Sequence, residues 1–181
     1  AYRPFNSQWL YQSDLYIDRQ GLAASLFPPG LDNTGICFSD IGSRTNFCVL
    51  GTDGIADLHF GAAVDAYQQV ARYRYSKSGE RIDNITDWAF NKFVAHYGKK
   101  DITKDAIFAY VYAVLHDPLY RETYVLNLKR EFPRIPFYAH FASWVAWGEA
   151  LLELHIGYEN VDPWPVERIE ISAKRAAGTT I

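Results

Sequence analysis

Methionine is absent from the 181 residues and cysteine occurs only twice, as Cys37 and Cys48. Two cysteines are too few for a disulfide scaffold or a four-thiolate zinc site. No window of about 18 consecutive apolar residues exists, which excludes the simplest transmembrane helix. The opening "AYRPFNSQW" lacks the basic and then apolar layout of a secretory signal. The chain is therefore expected to be soluble and cytoplasmic, without a membrane partner. There is no GxGxxG, GxxxxGK[ST] or GxSxG, so dinucleotide, P-loop and hydrolase-elbow readings have no anchor. His59, His96, His116, His140 and His155 show no metal-ligand spacing. Internal repeats and low-complexity tracts are also missing.

Aromatic residues are abundant: 13 Tyr, 11 Phe and 5 Trp. With 49% of residues hydrophobic, the chain has enough apolar surface for a packed core. The net charge of −3 conceals a segmentation. Residues 1–71 carry 3 basic and 7 acidic side chains, residues 72–100 carry 7 and 3, and residues 101–181 carry 8 and 11. One basic segment thus lies between two acidic ones.

The first part alternates short apolar runs with Gly, Pro, Asn and Asp: "WLYQS", "FPPGLDNTG", "ICFS", "NFCVLGTDG" and "ADLHF". Such spacing predicts an irregular antiparallel sheet, with "YQQVARYRY" as its last strand. A hairpin centred on Gly42 and Ser43 would face Cys37 against Cys48. A bridge is then sterically imaginable, but free packed thiols suit a reducing cytosol better.

From Thr86 the period becomes helical. Asn84 or Thr86 caps a helix with the stripe Ala89, Phe90, Phe93, Val94 and Tyr97, stopped by Gly98. Thr103 caps "KDAIFAYVYAVLH", with Asp105 in its first turn. Asp117 and Pro118 start a third helix, expected to run to about Arg130, where Lys129 and Arg130 favour the dipole's C-terminal end. A fourth covers about 140–158, and Gly148 within its stripe implies a close neighbour. Between them, "LKREFPRIPF" is a rigid elbow, because Pro133 and Pro136 forbid helix. Phe132, Ile135 and Phe137 are expected to plug the core, and Arg134 to make a buried ion pair or an interdomain contact. The fold class is α+β: a strand-rich part at 1–85, a four-helix part at 86–165 packed on it, and a tail at 166–181.

Catalytic readings fare poorly. "FPPG" lacks the polar residue that a Pro-Pro amino-methyltransferase motif needs, and Glu149 with Glu153 reads as a solvated helix face. The remaining candidate is "RYRYSKSGERIDN". Arg72, Arg74, Lys77 and Arg81 neutralise phosphates or read guanine edges, and Ser78 and Asn84 position a backbone. Strand alternation would place both arginines on one face and Tyr73 with Tyr75 on the other. The same pattern fits an edge strand guarded by charge and followed by a solvated loop. Arg44 at the hairpin tip, with Lys99 and Lys100 between two helices, extends the candidate surface.

Six blocks occur in one order: "YRPFNSQWLY", "DLHF", "RIDNIT", "ITKDAIFAYVYAVLHDPLYRETY", "LKREFPRIPF" and "GEALLELHIGYE". Together they resemble the C-terminal target-recognition (specificity) region of type ISP restriction–modification enzymes and related helicase–methyltransferase proteins. The resemblance spans about residues 2–164. It implies a piece of a longer polypeptide that joins a nuclease, a helicase-like ATPase and an adenine amino-methyltransferase. Double-stranded DNA and the methyltransferase and helicase domains would be its partners. By the same resemblance, S-adenosylmethionine, ATP and Mg belong to the parent, with no cofactor and no catalytic residue in this chain. Base-reading residues vary with target in such proteins, so none is carried over by position. The competing reading is a docking domain that touches no DNA.

Overall fold

The computed structural model describes residues 21–61 and 65–167, together with Asn6, Gln8, Trp9, Tyr11, Ser13, Leu15 and Tyr16. Leu10 and Gln12 of the "WLYQS" stretch and residues 168–181 of the expected tail lie outside these residues. Eleven elements follow in order. They are α1 (Ala23–Leu26), β1 (Gly35–Ser39), β2 (Val49–Thr52), β3 (Tyr67–Ala71), β4 (Tyr73–Tyr75), β5 (Arg81–Asp83), α2 (Asp87–Tyr97), α3 (Lys104–His116), α4 (Pro118–Thr123), α5 (Phe141–Ile156) and a 3-10 turn at Tyr158–Asn160. The chain is α+β, with antiparallel sheets in its strand-rich first half and, among the described residues, five α-helices. Among the described residues no helix is long and apolar enough to cross a membrane.

The main sheet has the order β2-β1-β3. All five residues of the central β1 are buried, because both of its faces are covered. Ile36 and Phe38 point into the helical core, whereas Cys37 joins Phe60 and Tyr67 on the opposite face. Cys37 pairs with Leu50 and Phe38 with Val49, so the β1–β2 hairpin is shifted from the expected centre. Cys48 lies beside Ser39, to whose Oγ its N–H donates, and both thiols are free. The "ADLHF" stretch is a turn, not a strand. Asp57 captures the His59 N–H at 2.9 Å with its carboxylate and the Phe60 N–H at 3.1 Å with its carbonyl, the habit that makes Asp a turn residue.

Helix starts follow local chemistry. Thr86 Oγ1 accepts from Ala89 N–H at 3.2 Å, Thr103 Oγ1 from Ala106 N–H at 3.0 Å, and Asp117 from Leu119 and Tyr120 N–H. The central α3 is buried almost all round, from Ile107 to Leu115. It packs chiefly against α5, with α2 and α4 at its margins. Gly148 is the contact point: a Cβ there would sit 1.9 Å from the Ala109 carbonyl oxygen.

Two expectations fail after α4. That helix ends at Thr123, not Arg130. Tyr124 leaves the helical region at φ −107°, ψ 19°, and residues 124–130 form successive turns. Thr123 and Val125, both β-branched, favour that exit. The elbow is held by tyrosine hydroxyls instead of phenylalanine plugs. Tyr120 donates to Arg134 O, Tyr110 to Pro136 O and Tyr97 to Tyr138 O, while Tyr138 N–H donates to Tyr110 Oη. Ile135 packs on the core, but Phe132 and Phe137 remain partly exposed. Arg134 pairs with Glu131 at 2.6 Å on the surface, not in the interior.

Candidate nucleic-acid interface

The basic segment folds into a hairpin of its own. β4 pairs with β5 through Tyr73–Asp83, Arg74–Ile82 and Tyr75–Arg81. The turn is closed by Gly79 N–H on Ser76 O and Glu80 N–H on Ser76 Oγ. Gly79 there has φ +83°, a conformation that suits glycine. Lys77 and Ser78 stand exposed at its tip, and Ser78 Oγ lies 2.8 Å from Ser76 Oγ.

Arg72 separates this hairpin from the main sheet. Its N–H donates to Thr34 O and its carbonyl accepts from Asn84 N–H, while Asn84 Nδ2 donates to Ala71 O. The expected single strand "YQQVARYRY" is therefore two strands broken at Arg72. The break also overturns the expected alternation of faces. Arg72 Nε and Tyr73 Oη both donate to Asp105 Oδ1, at 2.7 and 2.8 Å. Burial alone would raise the Asp105 pKa, but these two hydrogen bonds and the Arg72 charge hold it below its ordinary value. Arg81 stacks on the Tyr73 ring with its guanidinium carbon 4.5 Å from the centroid.

The hairpin faces now differ in character. Tyr73, Tyr75 and Arg81 share one side, where Tyr75 Oη donates to Asp32 O. Arg74 and Ile82 lie on the other, exposed side. Next to the hairpin, Lys104 reaches Asp87 at 2.7 Å and Asp83 at 3.8 Å, tying β5 and α2 to the start of α3. Among the described residues, Arg74, Lys77, Lys99 and Lys100 are exposed and carry no carboxylate partner.

Arg44 stands elsewhere. Gly35 of β1 pairs with Ala71, just before Arg72, whereas the β1–β2 loop leaves from Ser39 at the other end. Five strand residues place the loop and the hairpin at opposite ends of the sheet, more than about 10 Å apart. The loop is organised by the buried Asp65, whose carboxylate accepts from Ser43 Oγ, Thr45 Oγ1, the N–H groups of Arg44 and Thr45, and Arg44 Nε. The hydroxyl of Thr45 is the largest of the influences that hold the Asp65 carboxyl far below the usual carboxylate range. Gly42 N–H donates to Lys129 O and joins the loop to the segment before the elbow.

Sequence reasoning overlooked Trp88, 72% exposed at the start of α2, with Lys92 Nζ 5.7 Å from its ring centroid. A Trp and a Lys at i and i+4, outside the apolar stripe, are the signal for it. Among the described residues no three His, Cys, Asp or Glu side chains form a metal site.

The family model for the type ISP C-terminal specificity domain matches residues 1–179. The chain belongs to this family. Solved structures similar to the specificity domain include the following. One, a DrdV–DNA complex, matches at 44% identity and TM-score 0.81 over 91% of this chain. A nuclease-deletion mutant of the type ISP restriction–modification enzyme LlaGI, in complex with a DNA substrate mimic, matches at 30% and 0.74 over 91%. The ATP-dependent type ISP enzyme LlaBIII, bound to DNA, matches at 26% and 0.77 over 90%. The specificity domain covers only 16%, 14% and 11% of those three chains. No curated protein matches it.

Proposed function

We propose that the specificity domain recognises a sequence in double-stranded DNA and positions that DNA for an adenine amino-methyltransferase and a nuclease carried elsewhere in its polypeptide. The observation that carries this reading is the family match over nearly the whole chain, with relatives solved on DNA. Within it, the β4–β5 hairpin is the DNA-facing element. Arg74, Lys77 and Ser78 present cations and a hydroxyl on an exposed edge, and Arg81 adds a cation from the hairpin's other side. Lys99 and Lys100 add positive charge, and Arg44 offers a second contact from the far end of the sheet. Arg72 and Asn84 act through the hairpin's attachment. S-adenosylmethionine, ATP and Mg act on the other domains.

A domain exchange tests recognition. Placed in LlaGI instead of the corresponding segment, this chain should redirect adenine methylation to a new sequence. Methylation of the LlaGI sequence by the exchanged enzyme would remove the recognition role. The second reading, a docking domain for methyltransferase and helicase domains, is favoured by apolar surface around the elbow. Leu119, Val125, Leu126 and Phe132 are all exposed, and Phe132 lines a cavity of about 340 Å³ together with Tyr120, Tyr124 and Ile135. Docking at that face and recognition through the hairpin are compatible.

A further inference from the structure

The hairpin carries more positive charge than it offers to solvent. Arg74 in the hairpin is open, whereas Arg72 at its root donates Nε to Asp105 and packs over the rings of Tyr73 and Phe108 at 5.4 and 6.0 Å. Tyr73 gives its hydroxyl to the same carboxylate oxygen, and Arg81 rests on the Tyr73 ring. One carboxylate on the first turn of α3 thus restrains Arg72 at the root of the hairpin, Tyr73 in β4 and, through Tyr73, Arg81 in β5. A two-stranded hairpin has little stability of its own. Its aim relative to the helical body depends on such side-chain ties.

We propose that Asp105 is a specificity-determining residue of the DNA interface: it withholds Arg72 from the DNA backbone and fixes the hairpin so that Arg74 and Lys77 meet the duplex. The proposal rests on the reading of the hairpin as the DNA-facing element. Each cation that reaches a phosphate releases counterions and strengthens binding to any sequence alike. A restrained Arg72 keeps that sequence-independent contribution low, and contacts from an oriented edge then account for more of the discrimination. Asp105 touches no DNA in this arrangement.

The test uses the 181-residue chain, a random-sequence duplex of about 30 base pairs and a salt series. Arg74→Ala with Lys77→Ala should flatten the dependence of log affinity on log salt. An unchanged slope in that variant means the hairpin is not the DNA face, and the reading beneath this proposal fails. With that reading intact, Asp105→Ala should steepen the slope by about 0.9, the worth of one phosphate contact, and raise affinity roughly threefold or more at about 50 mM salt. Adding Arg72→Ala should return the slope to the wild-type value, and Asp105→Glu should leave it there. Asp105→Asn, which keeps the shape and loses the charge, makes the same test if the alanine variant fails to melt cooperatively. An unchanged or shallower slope on removal of the Asp105 charge overturns the proposal. So does a steeper slope that persists without Arg72, because it reports general charge removal.

Discussion

His116 illustrates how one side chain ties stability to pH. It sits on the last turn of α3, its Nδ1 donates to Tyr112 O at 2.9 Å, and its ring is 5.2 Å from that of His155. Burial, with the charge of Arg121 and the neighbouring His155 behind it, lowers its pKa to about 4. The folded protein therefore holds His116 neutral while the unfolded chain takes up a proton near pH 6.5. Stability from this group is complete above about pH 6.5 and is lost as pH falls toward 4. The loss reaches at most about 3 kcal/mol. Urea unfolding between those pH values should show this slope, and His116→Asn should reduce it. At Asp65 the prediction is local: Asp65→Asn removes the charge that gathers Ser43, Arg44 and Thr45. Amide exchange at Arg44 and Thr45 should accelerate, while the interior of α3 keeps its protection. Individual residues were legible where their partners were near in sequence. The caps Thr86, Thr103 and Asp117 each bond two or three residues on, and could be read directly. Asp65 is about twenty residues from the loop it organises and Asp105 about thirty from Arg72, so neither partnership had a sequence signal.

Elements show the same division. The α3–α5 contact was readable from one glycine, because a stripe position without a side chain implies a backbone neighbour. Gly148→Ala should cost about 1–3 kcal/mol or more, as the new methyl group meets the Ala109 carbonyl and overpacks the helix pair. A lowered denaturation midpoint with unchanged m-value is the expected measurement. The proline elbow was legible as an interruption but not in its fastening. Three hydroxyls from α2, α3 and α4 hold its carbonyls, and Tyr110, fully buried, also accepts from Tyr138 N–H. Tyr110→Phe leaves that donor and the Pro136 carbonyl without their partner and should destabilise by about 1–3 kcal/mol. The end of α4 and the break at Arg72 were missed for a common reason. Both depend on where distant segments dock: the β-branched Thr123 and Val125 weaken the helix only slightly, and local propensity favours continuing the strand across Arg72.

At the scale of the molecule, charge and apolar surface lie on different parts of the fold. The hairpin at one end of the sheet bears Arg74 and Lys77, whereas α4 and the segment after it expose Leu119, Val125, Leu126 and Phe132. The chain spans 11–16% of the length of its solved relatives, and under the proposed function the remaining domains give it polypeptide to dock against. A contiguous exposed apolar region is the expected mark of such a contact. Average composition hid this separation, because a net charge of −3 describes neither region. Leu126→Lys provides a test that keeps the two surfaces apart. Leu126 is 64% exposed, so the isolated chain should melt within about 0.5 kcal/mol of the wild type, as surface substitutions do. Its affinity for duplex DNA should stay the same or rise slightly, since the change adds a cation and leaves the hairpin untouched. In the LlaGI exchange, by contrast, the substitution should lower methylation at least tenfold, because a charge buried against another domain costs more than a kilocalorie. Full methylation by the exchanged Leu126→Lys enzyme would show that the elbow face is open to solvent in the assembled protein and would remove the docking role assigned to it.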